Sequence, residues 1–124
     1  MKNGFLKVAV TTPDLRVADC EYNKNQMVEK VKKMAGEKVS LVCFPEFSLT
    51  GYTCGDLFLH DTLVEGAKDA LAAYCEETKS YEIVSVVGLP LDHNGKLYNV
   101  AAVIYGGKIL GFVPKSYLPN YSEF

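Results

Sequence analysis

Two residues of opposite charge stand out by type and placement. Glu46 follows Pro45 at the end of the apolar run Leu41-Val-Cys-Phe44, and Lys115 follows Pro114 at the end of another. A carboxylate at the end of a buried strand is costly to desolvate unless it is paired or put to use. In α/β folds, sites are built where strands end. A carboxylate and an ammonium placed in this way would suit a general base and an oxyanion stabiliser. The alternatives are a Glu46 that caps neighbouring N–H groups and a Lys115 that is a surface lysine.

Alternating strand and helix patterns must position these two groups. Phe5–Thr11 has the composition of a strand, and from about Glu21 the apolar residues Met27, Val28, Val31, Met34 and Ala35 recur at helical spacing up to a C-cap at Gly36. Val39–Phe44 is a second strand, so the start of the chain is one βαβ unit with parallel strands. Phe47–Asp61 is a long loop of the kind that carries function. A helix over Thr62–Lys79 follows, with Leu63, Val64, Ala67, Ala70, Leu71, Tyr74 and Cys75 on one face. Strand Glu82–Val87 gives way to Gly88-Leu-Pro90. Asn94-Gly95 and Gly106-Gly107 are hairpin turns that make an antiparallel meander of Leu97–Tyr105 and Lys108–Val113. The end, from Pro114 on, is irregular.

Composition narrows the class. With 124 residues, 48% of them hydrophobic and 23% charged, the chain fits one ordinary α/β domain. A net charge of -2 offers no attraction to nucleic acid or to an anionic membrane. Cys20, Cys43, Cys54 and Cys75 form no CxxC pair, which points to reduced thiols and a cytoplasmic location. No apolar run approaches the ~18 residues of a membrane span. His93 lies in a polar turn, and His60 follows an apolar triplet as a buried, hydrogen-bonded histidine would. Gly88, Gly95 and Lys96 are spaced too widely for a phosphate loop.

Four segments in order, Phe44-Pro-Glu-Phe47, Gly88-Leu-Pro90, Tyr98-Asn-Val-Ala101 and Pro114-Lys-Ser-Tyr-Leu-Pro-Asn-Tyr121, resemble the nitrilase (carbon–nitrogen hydrolase) superfamily. More narrowly, Leu49–Phe58 and Lys115–Phe124 are similar to the amino-terminal glutaminase domain of glutamine-dependent NAD+ synthetases. The resemblance implies an α-β-β-α sandwich, of which residues 1–124 form the first half of the domain, with the synthetase domain absent. It implies Glu46 as general base and Lys115 as catalytic lysine, with Tyr52 and Tyr121 near the glutamine pocket. The family's nucleophilic cysteine falls beyond Phe124, and none of the four cysteines present matches its motif, so the fragment is expected to be inactive alone.

The implied function is hydrolysis of glutamine to glutamate and ammonia by a Cys-Glu-Lys triad. The ammonia then serves ATP-dependent amidation of nicotinic acid adenine dinucleotide. No cofactor or metal is expected in this segment; ATP and Mg belong to the synthetase domain of the same chain. The intact protein is expected to form a homo-oligomer. The alternatives are another superfamily amidase or carbamoylase, and a non-catalytic nitrilase-like module.

Overall fold

Strands β1 (Val8–Val10), β2 (Leu41–Cys43) and β3 (Val84–His93) run parallel, and β4 (Lys96–Tyr105) and β5 (Lys108–Leu118) continue from β3 as an antiparallel meander. All five form one sheet in sequence order, in a computed structural model that describes residues 6–51 and 61–118. Helix α1 (Cys20–Gly36) joins β1 to β2, and α2 (Asp61–Thr78) lies between β2 and β3. Successive right-handed crossovers that advance in one direction place both helices on the same face of the sheet. The core confirms that placement. Met27 and Val31 from α1 and Ala67, Leu71 and Tyr74 from α2 meet Val42, Val87, Leu89, Ala102 and Ile104 of the sheet.

Two polar contacts hold this layer in register. The Tyr74 hydroxyl donates to Ser85 Oγ at 2.7 Å inside the core, and the Tyr74 ring meets Phe44 edge-on at 6.4 Å between centroids. Burial pushes the Tyr74 phenol pKa up and keeps it neutral. Lys24 Nζ reaches Glu77 at 2.6 Å and ties α1 to α2.

The opposite face carries Val10, Cys43, Val86, Val103 and Gly111, paired strand to strand across the whole sheet. Val10 is 86% exposed, and Val8 and Val113 are also exposed. The described residues thus form one helical layer on one mixed five-stranded sheet, the α/β class expected from the sequence.

Several boundaries differ from the sequence-based expectation. The left-handed residue that closes α1 is Lys38 (φ 61°), and Gly36 stays inside the helix. β3 does not end at Val87 but runs through Gly88-Leu-Pro90 to His93. Beyond Val86 no strand lies on its far side among the described residues, and Gly88 turns its N–H and C=O there to Ser48 and Leu49. Pro90, two residues on, points its missing donor the same way, where no ladder bond is lost. β5 likewise passes through Pro114 to Leu118, which an edge strand permits. Asn94 and Gly95 (φ 52° and 77°) and Gly106 and Gly107 (φ 60° and 80°) form the two expected hairpin turns.

Candidate active site

β2 ends at Cys43, two residues before Pro45, and the chain then folds into a tight turn. Phe47 takes a left-handed backbone (φ 53°), uncommon for a bulky residue. Its carbonyl accepts the N–H of Thr50 at 3.0 Å and of Gly51 at 2.7 Å. The turn is bonded to β3 through Phe44 N–H to Val86 O (2.9 Å), Leu49 N–H to Gly88 O (3.1 Å) and Gly88 N–H to Ser48 Oγ (3.0 Å).

A second clamp comes from α1. Asn23 is 0% exposed; its Nδ2 donates to Arg16 O at 2.7 Å and Leu49 O at 3.1 Å, and its Oδ1 accepts the Arg16 N–H at 2.6 Å. The Ala18 N–H adds a bond to Thr50 O at 2.7 Å. Glu46 therefore projects from a turn whose backbone is held by two elements and by the segment before α1.

Lys115 is placed by an irregularity in the meander. Asn99 of β4 pairs with Ser116 and the next residue, Val100, pairs with Pro114, so Lys115 is the extra residue of a β-bulge. Bulges redirect the side chain they carry and are frequent next to sites. This bulge brings Lys115 Nζ to 3.7 Å from Glu46 Oε1, with side chains 48% and 40% exposed respectively. That separation is an ion pair without a hydrogen bond. A carboxylate held there can accept a proton, and an ammionium beside it can stabilise a developing oxyanion.

The sequence therefore names two residues that the fold brings together from distant strands. Tyr52 and Tyr121, as well as Cys54 and His60, lie outside the described residues. Sequence reasoning passed over Asn23, Ser48 and Asn99. Asn23 shares one helix face with Met27 and Val31 at i, i+4 and i+8, and a polar residue on that stripe is the signal that could have found it. Asn99, buried on the strand facing the bulge, has an Oδ1 without a hydrogen-bond partner among the described residues. Among the described residues no group of histidine, cysteine and carboxylate side chains could hold a metal ion, and no helix is long and apolar enough to cross a membrane.

The carbon–nitrogen hydrolase family model matches residues 7–123, nearly the whole chain. The chain belongs to the carbon–nitrogen hydrolase family. It is 38% identical over 123 residues to the glutamine-dependent NAD(+) synthetase of Mycobacterium tuberculosis, a match that covers 99% of this chain and 18% of that protein. The glutamine-dependent NAD(+) synthetase of Aquifex aeolicus is 34% identical over 120 residues, covering 97% and 21%. The crystal structure of a glutamine-dependent NAD(+) synthetase from Cytophaga hutchinsonii superposes with a TM-score of 0.83 at 26% identity, over 95% of this chain and 21% of that one. An amidase from Nesterenkonia sp. shares the fold, with a TM-score of 0.75 at 17% identity over 93% and 44%. The chain spans about a fifth of the length of the synthetases it matches.

Proposed function

We propose that residues 1–124 are the amino-terminal part of a glutaminase domain that feeds ammonia to an NAD+ synthetase domain of the same protein. The observation that carries this reading is the Glu46–Lys115 pair, 3.7 Å apart and contributed by the turn after β2 and the bulge within β5, on either side of the sheet's centre. In the proposed reaction Glu46 takes the proton of a cysteine thiol supplied by the rest of the protein. The thiolate attacks the side-chain amide carbon of glutamine. Lys115 stabilises the resulting oxyanion. Protonated Glu46 returns its proton to the amide nitrogen as the C–N bond breaks, ammonia leaves, and water hydrolyses the thioester to glutamate.

Tyr52 and Tyr121 are proposed to border the glutamine pocket. ATP and Mg act in the synthetase domain, where the ammonia amidates nicotinic acid adenine dinucleotide. The location is proposed to be cytoplasmic and the intact enzyme a homo-oligomer. The identity of 34–38% to NAD(+) synthetases favours this reading over a stand-alone amidase, to which only the fold is similar.

The test compares two nitrogen sources in the intact protein. Glu46→Gln should lower glutamine-dependent NAD+ formation by about 10²–10⁴-fold, and Lys115→Met by about 10²–10³-fold. Ammonium salt bypasses the site, so NAD+ formation from ammonia should stay near wild type in both variants. Equal losses with both sources would show that the two residues support the fold instead.

A further inference from the structure

Gly88 has no positive φ and forms no turn, yet no other residue would fit at its place. A methyl group there would lie 2.5 Å from the Phe47 nitrogen, 2.8 Å from the Pro45 oxygen and 3.0 Å from the Glu46 carbonyl carbon. These three atoms belong to the two peptide units that bracket Glu46 and to the residue itself. The bare α-carbon of β3 is thus the floor on which the Glu46 backbone rests. Three hydrogen bonds fasten it there, Gly88 N–H to Ser48 Oγ at 3.0 Å, Ser48 O–H to Gly88 O at 3.4 Å and Leu49 N–H to Gly88 O at 3.1 Å. The left-handed Phe47 sits between Glu46 and these fasteners, a strained conformation that the surrounding bonds must hold.

The same strand position also faces the lysine side. Gly88 pairs with Ala101 of β4, and Ala101 pairs with Val113 of β5, two residues before Lys115. One transverse row of the sheet therefore spaces the Glu46 turn from the Lys115 bulge. We infer that Gly88 and Ser48 are positioning residues, which seat the Glu46 turn on β3 and so set the distance and angle between the base and the lysine. This inference rests on the glutaminase reading of the pair.

Adding a methyl group at Gly88 obliges the turn to retreat by about an ångström, and a displacement of that size at a reacting group costs on the order of 10²-fold. In the intact protein, Gly88→Ala should lower kcat with glutamine by about 10²-fold, with KM for glutamine little changed, because the base acts in the chemical step. Ser48→Ala removes the hydroxyl that bonds both the N–H and the carbonyl of Gly88 and should lower the same kcat by roughly five- to tenfold, while Ser48→Thr, which keeps the hydroxyl, should restore most of it. NAD+ formation from ammonium salt should be unchanged in all three.

Should Gly88→Ala fail to fold, the Ser48 pair of variants carries the test. If Ser48→Ala and any soluble Gly88→Ala keep wild-type kcat with glutamine while Glu46→Gln abolishes it, the inference is overturned and the glutaminase reading stands. A rise in KM alone, or equal losses with glutamine and ammonia, would also overturn it. If Glu46→Gln itself leaves glutamine use intact, the glutaminase reading fails and takes the inference with it.

Discussion

The turn that carries Glu46 is bonded to β3, to α1 and to the segment preceding α1, whereas the strand that carries Lys115 has, among the described residues, a neighbouring strand on one side only. In the first region two buried residues hold the turn: Asn23 bonds Leu49 and Arg16, and Gly88 bonds Ser48 and Leu49. In the second, Leu110 and Val113 are exposed, and a bulge does the aiming. One charge of the pair is preorganised by buried partners on α1 and β3. The other is delivered by an edge strand whose outer backbone groups have no strand beside them among the described residues. An edge of this kind invites a neighbour, and the placement of Lys115 is correspondingly the softer of the two.

Breaking the clamp should give the largest effect on stability. Asn23→Ala leaves the buried Leu49 carbonyl without its Asn23 donor, at about 1–3 kcal/mol for a buried group left unpaired, and also removes the two part-buried bonds to the Arg16 N–H and carbonyl. The measurement is urea unfolding, together with hydrogen exchange at the Gly51 amide, which should speed up. A Gly51 amide that stays as protected as in wild type would show that the turn does not depend on α1.

A smaller effect is expected where α2 meets the outer end of β3. Lys68 Nζ lies 2.7 Å from Asp92 Oδ1, with both side chains a little over a third exposed. The hydrogen bond from Lys68 lowers the Asp92 pKa below its ordinary 3.8, and the bond to Asp92 raises Lys68 above 10.5. Asp92 therefore contributes stability at neutral pH that is lost as pH falls through its folded pKa. Lys68 contributes stability that is lost as pH rises through its own. Asp92→Asn should cost about 0.2–1 kcal/mol between roughly pH 5 and pH 10, with the difference from wild type vanishing at both extremes. A constant difference across the whole range would assign the effect to packing.

The smallest change should come from the exposed strand. Val113→Thr on β5 removes apolar surface that is already 55% exposed, and unfolding free energy should move by no more than about 0.5 kcal/mol. A loss well above that would mean that β5 is buried against a partner in solution and that the contrast between the two regions is overstated.

Much of this was legible in the residues themselves. Helical spacing located both helices within a residue or two, since burying one face imposes a period that composition reveals. Asn94-Gly95 and Gly106-Gly107 announced their hairpins, because a two-residue turn of this hand requires positive φ. Glu46 and Lys115 were recognisable as charges that end apolar runs. The prolines were less informative. Pro45 lies two residues past the end of β2, but Pro90 and Pro114 lie within strands, because whether a missing donor matters depends on which neighbour it faces.

Type and order along the chain determined the helices, the hairpins, the parallel start and the identity of the two charged groups, because these follow from local period and turn chemistry. The tertiary structure alone decided that the charges meet, that a bulge aims one of them, and that Asn23, Ser48 and Gly88 seat the other. Those outcomes depend on distances between segments far apart in sequence, and a side chain's neighbours there are set by sheet register and close packing, which no local pattern encodes.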